Sequence, residues 1–161
     1  MSSRRLEVSW DDPAALAAEG MRRPPLEFLQ AIRDGDVPTA PISQLLGFHL
    51  VEVEEGRAVF AAEPGEQHYN PIGVVHAGLA ATMLDSAMAC AVHSALPEGN
   101  GYTTLETKFN LVRGITAETG RIEAEGKVVN LGRRVGTAEG RLTAADSGKL
   151  LAHGTSTCLV V

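Results

Sequence analysis

The sequence predicts an α+β domain in which one long apolar helix is enclosed by an antiparallel sheet. Two observations carry this. Residues 77 to about 96 are rich in alanine, methionine and leucine on nearly every side and stop at Pro97, which reads as a single helix buried all round. After Gly101 the texture changes to segments rich in Thr, Val and Leu, separated by Asn130-Leu131-Gly132 and Asp146-Ser147-Gly148, which reads as strands joined by short turns. At 161 residues and 44% apolar content the chain supports one core.

Taken in order, the first 44 residues are divided by Pro13, Pro24, Pro25, Pro38 and Pro41, and two short helices are expected among them. Asp11 or Asp12 caps the first, which runs through Glu19 and stops at Gly20; Pro25 opens the second, which closes at Gly35 with Leu26, Leu29 and Ile32 facing inward. From Leu45 to Glu63 a loose alternation with Gly56 at its middle predicts a two-stranded hairpin. The small residues Gly78, Ala80, Ala81, Ala87, Ala89 and Ala91 of the long helix allow a sheet to approach it closely. Tyr102 to Val112, Gly120 to Val129, Arg133 to Ala144 and Leu150 to Val161 supply four more strands. No internal repeat or low-complexity tract occurs.

Composition excludes several functions. With 14 basic against 20 acidic residues the net charge is −6, so nucleic acid is not an expected partner. No stretch approaches the roughly 20 apolar residues of a membrane span, and a cytoplasmic protein is expected. Cys90 and Cys158 lack C-x-x-C spacing and sit among apolar neighbours, which argues for free, non-catalytic cysteines. His68, His76, Asp85 and His93 match no compact ligand spacing, so no metal is expected. Neither G-x-S-x-G, a phosphate loop nor a dinucleotide glycine fingerprint is present, which disfavours a serine-elbow hydrolase and phosphoryl or hydride transfer.

One carboxylate stands out. Asp85 lies in the middle of the apolar helix, and a carboxylate there needs a partner or a chemical task. A structural Asp85, hydrogen-bonded to backbone amides or to Thr82, is the plainer reading.

The spacing His68-x-Asn70-x-x-Gly73-x-x-His76-x-Gly78, with Asp85 seven residues further on, resembles the signature of hotdog-fold acyl-CoA thioesterases of the phenylacetate-degradation (PaaI-like) type. The likeness covers residues 41–161, including Leu45-Leu46-Gly47-Phe48, Thr103 to Phe109 and Gly148 to Thr155, and leaves residues 1–40 as an N-terminal helical extension. It implies a hotdog fold, a homodimer whose two sheets join edge to edge or a dimer of such dimers, and hydrolysis of an acyl- or aryl-CoA thioester. No cofactor is implied, since coenzyme A is part of the substrate.

The residues suit those roles. Backbone amides at a helix start, here Ala77 and Gly78, are donors for the oxyanion formed on attack at a thioester. Gly78 lets the thioester come near the backbone, whereas many relatives also carry glycine at the place of Ala77. Asp85 acts on the carbonyl carbon as nucleophile or as general base, and the sequence leaves both open. Gly78 and Asp85 share a helix face but differ in height by about 10.5 Å, so the amide of one subunit must meet Asp85 of another. The resemblance places Asn70, His76 and Thr104 around the thioester or the attacking water. Each has a structural alternative: a turn residue before Pro71, a helix cap and a strand threonine. Arg133 and Arg134 suit the phosphates of coenzyme A, or simply decorate a turn. Two other functions fit the same architecture. They are a dehydratase, whose His-Pro-Gly loop is not visible here, and a non-enzymatic acyl-CoA-binding module.

Overall fold

The computed structural model describes residues 3–161. Helix α1 (Pro13–Gly20) is capped by Asp12, whose Oδ1 accepts from the Ala14 N–H at 2.9 Å, and Gly20 is its last residue rather than its stop. Helix α2 (Pro25–Asp34) ends at Gly35, whose φ of 81° is the left-handed turn that glycine adopts freely. Leu29 is buried, and Leu26 and Ile32 pack half-buried against the same core, as their spacing predicts.

A third short helix, α3 (Pro41–Leu46), corrects the reading of Leu45 as strand. Pro41 opens it and Gly47 closes it at φ 66°. Six residues are too few to display helical periodicity, so only these end signals marked it. The strands are β1 (Phe48–Glu54) and β2 (Arg57–Ala62), joined at Gly56, followed after helix α4 (Ala77–Ser94) by β3 (Tyr102–Leu111), β4 (Ile122–Leu131), β5 (Val135–Ala144) and β6 (Leu150–Val160). All pair antiparallel in the order β1-β2-β4-β5-β6-β3, which leaves β1 and β3 as the edges.

Helix α4 touches all six strands. Six strands laid flat would span about 24 Å, over twice the width of a helix, so the sheet has to curl around α4. This is the hotdog arrangement. Register shifts between Leu50 and Glu52, Thr104 and Glu106, and Val128 and Asn130 mark bulges that bend the strands. Contact is closest where the sheet has no side chain. A Cβ on Gly126 would overlap the backbone of Ala87 and Met88, and one on Gly140 would lie 2.9 Å from Met88 Cγ. The small residues that matter most for the approach are thus on the sheet as well as on the helix.

Helix α4 is not buried all round. Gly78, Ala81, Thr82, Asp85, Ser86, Cys90 and His93 remain half-exposed, forming one stripe at spacings of three and four, while Met83, Leu84, Ala87, Met88 and Val92 are fully enclosed. The sheet wraps the opposite side, and its curl ends at edge strand β3 beside the stripe. Among the described residues no helix is long and apolar enough to cross a membrane.

Candidate active site

Asp85 occupies the middle of the open stripe. Its Oδ1 accepts a hydrogen bond from the Thr107 hydroxyl at 2.8 Å. Thr107 is itself set by Ser156, whose hydroxyl is 3.3 Å away and donates to the Glu106 carbonyl at 3.0 Å. With the Ser156 proton committed to that carbonyl, the Thr107 proton is left for Asp85. Among the described residues nothing donates to Asp85 Oδ2, and Asp85 lines a cavity together with Thr104.

No sequence signal marks Thr107, and the resemblance points instead to Thr104 on the same strand. A regular strand puts residues three apart on opposite faces. The bulge at Leu105 shifts the register, so that Thr104 and Thr107 both turn inward and Leu105 is left 59% exposed. Thr82, the expected partner of a structural Asp85, instead donates to the Gly78 carbonyl at 2.9 Å.

His76 is the N-cap of α4, its Nδ1 accepting from the Gly78 N–H at 2.9 Å. Gly78 earns its place here by geometry, because a Cβ on it would lie 2.9 Å from that same nitrogen. The Gly78 amide is therefore engaged. The Ala77 amide, at the first position of the helix, has no acceptor among the described residues and is the open donor at this end. Replacing His76 by Ala is expected to cost about 1 kcal/mol and lower Tm by roughly 3 °C, with His76→Asn recovering most of it. An unchanged melting curve for His76→Ala would show that the cap contributes nothing.

Asn70 shapes the loop that leads into α4. Its Oδ1 accepts from Ile72 and Val74 at 3.0 and 3.3 Å, and its backbone exchanges hydrogen bonds with Val74 and Gly73. His68 braces the loop from below. Its Nδ1 accepts from Gly65 and its Nε2 lies 3.1 Å from the Leu46 carbonyl, which identifies Nε2 as the protonated nitrogen. The motif thus builds the helix start before it does any chemistry.

Burial, together with the charge of Asp85, pushes the Cys90 thiol up to about 12, and burial also raises Cys158, so both free cysteines stay protonated and poorly nucleophilic. Arg133 and Arg134 are exposed on the β4–β5 turn. That turn lies toward the C-terminal end of α4, since a Cβ on nearby Gly136 would meet Val92. Within one chain the structure brings Asp85, Thr104 and Thr107 together, and leaves Ala77, His76 and Asn70 at the helix start and the two arginines at the far end.

The comparisons agree with this architecture. The family model described as the thioesterase superfamily matches residues 72–151. A mutant of the phenylacetic acid degradation protein PaaI from Thermus thermophilus is 30% identical, with a TM-score of 0.67, over 74% of this chain and 98% of that one. A thioesterase family protein from Silicibacter pomeroyi is 27% identical with a TM-score of 0.71, covering 82% of this chain and 96% of its own. The PaaI protein of E. coli, at 20% identity and a TM-score of 0.69 over 76% of this chain and 86% of that one, shares the fold. No curated protein matches the chain. The matched solved structures are thus covered nearly end to end, while this chain extends beyond them. A signature loop at the start of an enclosed helix, a carboxylate seven residues along it and the curled six-stranded sheet place the chain in the PaaI-like group of the hotdog thioesterase superfamily.

Proposed function

We propose that the protein hydrolyses acyl- or aryl-CoA thioesters to the free acid and coenzyme A, in a site built from two copies of the chain. The observation that carries this is Asp85. It is a half-buried carboxylate that lines a cavity, is held by one hydroxyl and has no ion-pair partner among the described residues. The Ala77 amide of one subunit polarises the thioester carbonyl, and Asp85 of the other attacks it or deprotonates water beside it. The helix rise of about 1.5 Å per residue separates these groups too far for one chain to supply both.

Edge strand β3 is the natural seam for such a dimer. It borders the open stripe of α4 and carries Leu105 and Leu111, 59% and 44% exposed, whereas α2 and α3 pack against the other edge at β1. Joining two β3 edges pairs their free backbone groups and brings the two helix stripes toward each other. Arg133 and Arg134 are assigned to the coenzyme A phosphates, and the cytoplasm, where free cysteines persist, to the reaction.

Thiol release from a panel of acyl- and aryl-CoA thioesters tests the reading. Turnover supports it; binding of the thioesters without thiol release would overturn it and favour a dehydratase or a binding module. Thr107 is the positioning residue in this scheme. Thr107→Val should lower kcat roughly tenfold at little change in KM, and Thr107→Ser should restore most of it, since only the hydroxyl orients Asp85. Equal activity in all three would show that Asp85 needs no such guide.

A further inference from the structure

The open stripe of α4 continues past Asp85 through Ser86, Cys90 and His93. Two cavities lie along it. One of about 190 Å³ has Asp85 in its wall, and one of about 930 Å³ lies between α1, α2, the C-terminal half of α4 and the start of β3. Leu29, Ile32, Ala40, Cys90, Tyr102 and Thr104 line both, so the two are compartments of one space. Its reach along α4 from Asp85 to His93 is about 12 Å.

Helix α1 supplies a second observation. Apart from Glu19 its sequence is apolar or small, yet none of its residues is buried. Leu16 and Ala17 line the large cavity, and α1 is held by Gly20 against the ring of Phe28, where a Cβ would come within 3.1 Å. Phe28 in turn meets His93 edge-on at 6.2 Å, and His93 tilts against Tyr102 at 5.0 Å. A helix of this composition gains hydrophobic free energy only when something apolar fills the space beside it. Among the described residues, Arg23 and His93 are the only lining side chains of the far compartment that can carry a positive charge, and no Asp or Glu side chain lines it. Arg23 is tied to Glu19 at 2.6 Å, and burial lowers the His93 pKa from its ordinary value, favouring the neutral ring.

We propose that α1, α2 and the C-terminal half of α4 form a chamber for the acyl group, and that the substrate class is a medium-chain hydrocarbon acyl thioester whose far end lies between Ala17 and His93. This rests on the thioesterase reading, with the reacting carbonyl at Asp85. At roughly 1.3 Å advance per carbon of an extended chain, 12 Å corresponds to about nine carbons. Each buried methylene is worth about fourfold in binding, so preference should accumulate along the series.

The test uses the full-length protein and straight-chain acyl-CoA thioesters from acetyl to tetradecanoyl. We expect kcat/KM to climb to about decanoyl and then level off. Ala17→Phe, which fills the far compartment from an exposed helix, should cut decanoyl turnover by at least roughly tenfold and leave butyryl within about twofold. Leu16→Phe is the second variant, in case the first perturbs α1. Calorimetric binding of decanoate to wild type and variants reads the chamber without turnover. Decanoate binding that Ala17→Phe or Leu16→Phe abolishes, in a protein releasing no thiol from any thioester, would sink the hydrolysis reading and keep the chamber. A flat length profile, equal losses for butyryl and decanoyl in both variants, or no decanoate binding by wild type would overturn the chamber even if hydrolysis is confirmed.

Discussion

Asp85→Asn is expected to lower kcat for thioester hydrolysis by about a thousandfold or more and to leave the protein folded. The amide is isosteric with the carboxylate and retains an oxygen to accept from Thr107, so the local packing around Asp85 survives. What disappears is basicity and negative charge. A positioned general base contributes roughly 10²–10⁴-fold, and loss of a nucleophile costs at least as much. The measurement is thiol release by both proteins at matched Tm and oligomeric state. Activity within tenfold of wild type would return Asp85 to the structural role. Wild-type turnover in ¹⁸O-labelled water then probes the nucleophilic route: label found in Asp85 itself marks an anhydride hydrolysed at the Asp85 carbonyl, whereas label confined to the product acid fits both a base-activated water and an anhydride hydrolysed at the acyl carbon.

The second large effect concerns stability. Gly126→Ala is expected to destabilise the fold by about 3 kcal/mol, and Gly126→Val to prevent folding altogether. A Cβ at this place in β4 would meet the carbonyl and peptide nitrogen of α4 at Ala87 and Met88, and backbone has no rotamer with which to yield. The helix would have to lift from the sheet, opening space around Met83, Leu84 and Met88, all fully buried. Against a total stability of about 5–15 kcal/mol such a loss is large. Gly148→Ala is the control. A Cβ there would meet nothing within 4 Å, but its φ of 64° costs a side chain about 1 kcal/mol. Urea denaturation of the three proteins checks the order, and a Gly126→Ala midpoint equal to wild type would show that sheet and helix are not in backbone contact there.

Much of the fold was legible because its signals are local. Pro25 and Gly35, Pro97, Gly56 and Gly132 each mark an end of an element through backbone restrictions carried by a single residue, although Asn130 and Leu131, expected in the turn, still belong to β4. Helix α3 escaped because six residues carry no period, and the half-open face of α4 escaped because alanine and glycine read as apolar whether or not anything covers them.

The candidate site divides along the same line. Sequence by itself determined which residues stand at the start of α4 and that a carboxylate lies two turns along it, since helix geometry turns spacing into position. It also determined that one chain cannot bring the Gly78 amide and Asp85 to the same carbonyl. Only the tertiary structure decided that Thr107 holds Asp85, because the bulge at Leu105 changes which threonines face inward and no local signal announces a register shift. Only the tertiary structure decided that His76 occupies the Gly78 amide and leaves the Ala77 amide open, since a cap is a contact between a side chain and a backbone group whose rotamer the sequence does not record. The space between α1, α2 and α4 is likewise a property of three elements packed together, which no one of them encodes alone.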